Sequence, residues 1–112
     1  ILEDMTNIKE LILSNVPFFP DNLNRMQKLE KLDISQNDDI VDDDIREICE
    51  YSLLNLRILD ISSCINLTEE IRFYIPQLPN LTSLYKYDCN IHFTRRQLEV
   101  IYQTHPNLQI FE

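Results

Sequence analysis

The chain has 112 residues, 44% of them hydrophobic, and a formal net charge of -9; that is enough for one core of ordinary size and too short for two domains. So large an acidic excess disfavours nucleic acid or an anionic membrane as the main partner, because both are gripped through surplus Lys and Arg, and it favours a basic or neutral protein surface. Glycine is absent, which excludes Walker-type loops, dinucleotide fingerprints and the G-x-S-x-G elbow from this segment, since each needs positive φ or a close backbone approach.

No apolar run approaches the roughly 18 residues of a membrane span, and the first residues lack the basic-then-apolar order of a signal peptide. The three cysteines, at positions 49, 64 and 89, are odd in number and widely spaced, which predicts a reducing, intracellular setting in cytoplasm or nucleus.

In chain order, the first element is Ile8-Lys-Glu-Leu11-Ile-Leu13-Ser-Asn15-Val16, with apolar residues at positions 1, 4 and 6. The Pro17-Phe-Phe-Pro20 that follows leaves room for at most a turn of helix between Asp21 and Met26. The same spacing returns in Leu29-Glu-Lys-Leu32-Asp33-Ile34-Ser-Gln-Asn37, closed by Asn at position 9, and in Leu56-Arg-Ile-Leu59-Asp60-Ile61-Ser62-Ser-Cys64, closed by Cys. A fourth copy is Leu81-Thr-Ser-Leu84-Tyr85-Lys86-Tyr87-Asp88-Cys89, and a fifth, Leu108-Gln-Ile110-Phe111, is cut short. The copies start at intervals of 21, 27, 25 and 27 residues, and L-x-x-L-x-L-x-x-N/C at such a period is the leucine-rich-repeat signature.

Between the copies the apolar period lengthens to three or four residues. Asp43 to Leu54 and Thr94 to Thr104 predict amphipathic helices, the first capped by Asp42 or Asp43 and the second by Thr94. A shorter helix is predicted from Thr68 until Pro76 and Pro79 stop it. Strand, loop, helix, strand is a right-handed crossover onto a parallel neighbour. Repeated through residues 1–112, it predicts an α/β leucine-rich-repeat solenoid of about four repeats plus a truncated fifth, a fragment of a longer protein. A curved parallel sheet would line its concave face and helices its convex face.

In that arrangement positions 1, 4 and 6 enter the core, and positions 3, 5, 7 and 8 face the concave side. Position 9, occupied by Asn37, Cys64 and Cys89, is expected to satisfy backbone groups in the turn leaving each strand. Position 5 reads Ile12, Asp33, Asp60 and Tyr85; position 7 reads Ser14, Ser35, Ser62 and Tyr87; position 3 reads Glu10, Lys31, Ile58, Ser83 and Ile110. Aligned carboxylates flanked by tyrosines suit a basic side chain with an aromatic anchor. The candidate partner-binding residues are therefore Asp33, Asp60, Ser62, Tyr85, Tyr87 and Asp88. The plainer reading of the same residues is a solvated strand face.

Lys86 occupies position 6, where Ile34 and Ile61 stand in earlier copies. A buried, unpaired ammonium costs several kcal/mol. Either the register slips and Tyr85 or Tyr87 turns inward, or Lys86 reaches out or pairs with an acid.

The remaining clusters point to structure. Asp38-Asp39-Ile40-Val41-Asp42-Asp43-Asp44 lacks the loop and glycine of a calcium site, and its last carboxylates suit a helix N-terminus. Cys89 and His92 form only one close pair of zinc ligands where a structural site wants two. Cys64 and Cys89, in equivalent turns of adjacent repeats, are near enough for a disulfide but are better explained as small buried residues. Ser62, Ser63 and Cys49 have no histidine beside them in this layout, and exposed Asp33 and Asp60 would keep ordinary acidity, so no enzyme, metal or cofactor is expected. Asn66-Leu-Thr68 and Asn80-Leu-Thr82 are glycosylation sequons, the basis of an extracellular alternative, although Asn-Leu recurs at repeat boundaries regardless.

The residues Leu29-Glu-Lys-Leu-Asp-Ile-Ser, Leu56-Arg-Ile-Leu-Asp-Ile-Ser-Ser-Cys and Asn66-Leu-Thr68 resemble the cysteine-containing leucine-rich repeats of F-box proteins. The L-D-I-S core and Pro79-Asn-Leu-Thr-Ser-Leu are similar to repeats of the Zyg-11/Zer-1 family. Both families are substrate receptors of cullin-RING ubiquitin ligases. The resemblance implies a non-catalytic protein-protein interaction module that recognises a ligase substrate, with cullin-adaptor subunits engaged through regions outside this segment. It carries over no binding residue, because the matching positions are core positions. The alternative within the same fold is a structural spacer section of a longer solenoid.

Overall fold

The strand-forming triplets occupy positions 3 to 5 of the nine-residue spacing, flanking the position 4 side chain that enters the core. In the computed structural model, which describes residues 4–16 and 20–112, they are β1 (Glu10–Ile12), β2 (Lys31–Asp33), β3 (Ile58–Asp60), β4 (Ser83–Tyr85) and β5 (Gln109–Phe111). All five lie in one parallel sheet in sequence order. Pairing continues past each triplet: position 6 N–H groups donate to the position 5 carbonyl of the next strand, as from Ile34 to Asp60 at 3.0 Å and from Ile61 to Tyr85 at 2.9 Å.

The connections include two α-helices, α1 (Asp42–Glu50) and α2 (Arg95–Thr104). The other connections are 3-10 turns at Pro20–Arg25, Glu69–Phe73 and Ile75–Gln77. A further 3-10 turn, Asp4–Asn7, precedes β1. Helix α1 touches the 3-10 turns of the connections on either side of it, so the connections form a second layer in chain order. Of the first crossover, Pro17 to Phe19 fall outside the described residues, and the single turn expected after them is the 3-10 segment Pro20–Arg25.

Positions 1, 4 and 6 fill the core. Leu29, Leu32 and Ile34, then Leu56, Leu59 and Ile61, are all fully buried, and Leu81 and Leu84 nearly so. In β1 the equivalents Ile8, Leu11 and Leu13 are half-buried, since among the described residues that strand has a neighbour on one side only. Between the layers Ile45, Ile48, Leu67, Ile71, Ile75 and Ile101 complete one continuous cluster, each such side chain contributing about 1.5–3 kcal/mol by leaving water.

Position 9 behaves as its spacing predicts. The Asn37 amide donates to the carbonyls of Leu13, Ile34 and Ser35 at 3.1, 2.9 and 3.0 Å. Cys64 Sγ donates to Ile34 O at 3.2 Å and Cys89 Sγ to Ile61 O at 3.0 Å. Each therefore reaches the position 6 carbonyl of the preceding repeat. Position 8, just before, is left-handed in four copies, with Asn15, Gln36, Ser63 and Asp88 at φ of 57, 58, 58 and 55°. A chain without glycine makes this turn with polar side chains, of which Asn and Asp tolerate it best.

Four expectations need correction. The N-cap of α1 is Val41, and neither Asp42 nor Asp43; Asp44, at the third helical position, accepts from the Val41 N–H at 2.9 Å. Asp42 instead accepts from the N–H of Thr68 at 2.8 Å and also from its hydroxyl, tying two successive connections together, while Asp43 pairs with Arg46 at 2.7 Å. The segment after Thr68 forms 3-10 turns, not an α-helix, and Pro76 lies inside the second of them, where its missing N–H costs nothing. Ser35, at position 7, is buried, with its hydroxyl donating to that of Ser14 at 3.0 Å.

The fourth correction concerns register. Gln109, Ile110 and Phe111 pair with Ser83, Leu84 and Tyr85, so Ile110 holds position 4 rather than 3 and Phe111 holds position 5. Leu108 still makes the turn of a position 1 residue, its N–H donating to His105 O as Leu81 donates to Leu78 O. The difference lies just after it. In earlier repeats two successive N–H groups converge on one carbonyl, as Thr82 and Ser83 do on Arg57 O, whereas only Gln109 donates to Thr82 O. The last copy is one residue shorter at this point.

Candidate binding face

Position 5 builds the centre of the exposed sheet face. Its side chains run Ile12, Asp33, Asp60, Tyr85 and Phe111 across five in-register strands, spaced about 4.8 Å apart. Asp33 Oδ1 accepts from Ser35 N–H at 2.9 Å and Asp60 Oδ1 from Ser62 N–H at 3.0 Å. These local turns hold both carboxylates in place and leave the second oxygen of each without a hydrogen-bond partner among the described residues.

The aromatic half is equally ordered. Tyr85 stacks on Phe111 with centroids 4.5 Å apart and an interplanar angle of 11°, and Tyr87 leans against Tyr85 at 6.1 Å and 43°. Tyr87 is 47% exposed and Ile12 55% exposed. A pair of fixed acids thus abuts an aromatic wall, with an apolar side chain at the far edge. At the other end of the strands, Glu10, Glu30, Lys31 and Arg57 line a shallow hollow of about 280 Å³ where charges of both signs alternate.

Of the six predicted partner-binding residues, Asp33, Asp60, Tyr85 and Tyr87 come together on this face. Ser62 is partly consumed by structure, because its hydroxyl accepts from Tyr87 N–H at 3.1 Å. Asp88 lies in the left-handed turn beyond the strand, 3.4 Å from the Ser63 hydroxyl that donates to it, at the margin of the face. Phe111 was not among the predicted residues. Its chain position fits an apolar position 4 as well as an exposed position 5, so the pattern alone does not discriminate.

Lys86 neither slips nor reaches out. It is 4% exposed, with Nζ donating to Ile91 O at 2.9 Å, lying 3.6 Å from Glu112 Oε2 and 6.0 Å from the Phe93 ring centroid. The ammonium is paired from below the face and leaves Tyr85 and Tyr87 outside.

The cysteines are all free. Burial pushes the Cys49 thiol up to about 12 and the Cys64 thiol up to about 11, and raises that of Cys89; such thiols hold their protons at neutral pH, and Cys64 and Cys89 use them as hydrogen-bond donors. His105 is buried, its Nε2 facing Leu78 O at 2.8 Å and its Nδ1 facing the Thr104 hydroxyl at 2.8 Å. The carbonyl fixes Nε2 as the protonated nitrogen. Among the described residues no group of three or more His, Cys, Asp or Glu is placed to hold a metal, and no helix is long and apolar enough to cross a membrane. The amides of the two sequons are engaged, Asn66 donating to Asp38 O and Asn80 to Leu54 O.

Comparison with known protein families finds no matching family model, and comparison with curated proteins finds no significant match.

Proposed function

We propose that this chain is a section of an intracellular leucine-rich-repeat solenoid whose concave face binds a protein partner and performs no chemistry of its own. The partner is a substrate of a cullin-RING ubiquitin ligase, presented through a basic side chain. The observation that carries the binding reading is the juxtaposition of Asp33 and Asp60 with Tyr85, Tyr87 and Phe111 on one face. Acids oriented by the backbone and aromatics oriented by stacking lose little side-chain freedom on binding, which is what concentrates affinity in a few residues. The ligase setting is supported by the resemblance of Leu29–Ser35 and Leu56–Cys64 to F-box and Zyg-11/Zer-1 repeats.

Photo-crosslinking tests this. A benzophenone side chain is placed at Tyr87, on the concave face, or at Glu50, on the exposed end of α1. The expected result is a protein adduct from position 87 and none from position 50, with ubiquitin conjugation of that protein falling when the concave residues are replaced. Equal adducts from both positions, or conjugation unaffected by the face, would instead support a spacer.

A further inference from the structure

A second surface lies on the opposite layer, between the 3-10 turn Glu69–Phe73 and helix α2. Phe73 is 56% exposed and Val100 59% exposed. Together with buried Ile101 they floor a groove of about 380 Å³ rimmed by Arg72, Arg96 and Gln97. Large apolar side chains left open beside one another in a concavity are the usual mark of an interaction site, whereas scattered ones need no explanation.

The charge around the groove runs against that of the molecule. A chain of net charge -9 with ten Lys and Arg in all places Arg72 and Arg96, and no acid, in the lining of this groove. Arg95, outside that lining, is 3.6 Å from Glu99 and so is partly neutralised. Arg72 is held in position, donating to Glu69 O at 3.0 Å with its guanidinium 4.2 Å from the Phe73 ring centroid. That cation lies on the aromatic face, forming one wall. Arg96 is exposed and makes no ion pair or hydrogen bond among the described residues. Gln97 uses its carbonyl oxygen to accept from Thr94 N–H at 2.9 Å, which leaves its NH2 group free to donate into the groove.

We propose that this groove docks an acidic, apolar peptide segment of a partner protein, distinct from whatever binds the concave face. One or two aliphatic or aromatic side chains fill the floor over Phe73, Val100 and Ile101. A flanking carboxylate meets Arg96, whose planar fork suits it, and a backbone carbonyl accepts from Gln97. Charge complementarity selects this occupant: the rim repels a basic segment, and an apolar peptide without acids leaves the guanidinium of Arg96 unanswered.

The test uses a fluorescent heptapeptide alternating Glu with Leu and Phe, a counterpart with Lys in place of Glu, and a counterpart with Ser in place of Leu and Phe. Binding to the full chain is followed by anisotropy and by methyl shifts of Val100 and Ile101. The acidic, apolar peptide is expected to bind and to shift those methyls, with at least tenfold weaker binding by both counterparts. R96E and Phe73→Ser are each expected to weaken it at least tenfold. Both replaced side chains are exposed, and circular dichroism checks that the fold persists. The proposal is overturned if neither substitution changes affinity, if the basic peptide binds as well, if no peptide binds at millimolar concentration, or if sedimentation shows Phe73 and Val100 covered by a second copy of the chain.

Discussion

The ring of Tyr85 lies against that of Phe111 at 4.5 Å and 11° from parallel, joining the last two strands of the sheet face to face. This contact exists because the final repeat is one residue shorter after Leu108, which carries Phe111 from the core-facing position to the exposed one. A double-mutant cycle with Tyr85→Ala and Phe111→Ala should return a coupling of about 0.5–1.5 kcal/mol in denaturant-unfolding measurements. Additive losses would mean the rings do not stack in solution.

Asn37 ties three carbonyls of two repeats with one amide. Asn37→Ala removes these bonds, although each acceptor keeps a second donor (Val16 N–H on Leu13 O, Asn15 N–H on Ser35 O and Cys64 Sγ on Ile34 O), and should lower unfolding free energy by about 1–2 kcal/mol. Asn37→Cys should recover about half of the loss, because Cys64 and Cys89 already make the equivalent bond to the preceding repeat. Chemical denaturation of the two variants side by side measures the difference.

Lys86 is the one charged side chain among the core positions of the inner repeats. Lys86→Met keeps the apolar stem but leaves the buried Ile91 carbonyl without this donor, so it should cost about 1–2 kcal/mol. Lys86→Ala also removes the aliphatic stem and should cost about 2–4 kcal/mol. Should Met prove as damaging as Ala, the ammonium and its bond to Ile91 O are indispensable.

Alkaline pH should expose the buried thiols. Their ordinary value of 9.0 is raised by burial, for Cys49 up to about 12 and for Cys64 up to about 11. A raised folded value means that protonation is favoured by folding; this stability is fully present below about 9, the unfolded value, and is lost as pH rises toward 11 and 12. Thermal melts between pH 8 and 11 should therefore show a falling midpoint, and the Cys49→Ala, Cys64→Ala double variant a shallower fall. Alkylation at pH 8 should be slow in the folded protein and fast in urea.

Much of the fold is legible in the sequence because a nine-residue pattern of Leu and Ile, returning every 21 to 27 residues, decides which backbone positions leave water. The strands at Leu32, Leu59 and Leu84, the Thr94 cap and the position 9 tethers all follow from it. What escapes the pattern is local competition. Asp42 is drawn from the helix terminus by Thr68, a contact 26 residues away in sequence, and a one-residue deletion after Leu108 leaves two apolar registers equally plausible. The acids and tyrosines of the exposed sheet face are readable by alternation. The groove at Phe73 and Val100 is not, since it depends on how two connections from neighbouring repeats come side by side.

Affinity for the protein cross-linked at Tyr87 tests most directly whether the exposed sheet face binds a partner. Titration compares the parent with the combined Asp33→Asn, Asp60→Asn, Tyr85→Ala, Tyr87→Ala variant, in which the asparagines keep the oxygens that accept from Ser35 and Ser62. Loss of at least two orders of magnitude in affinity, with the folded dichroism spectrum retained, is the predicted result. An affinity within twofold of the parent would contradict it and leave the chain as a spacer.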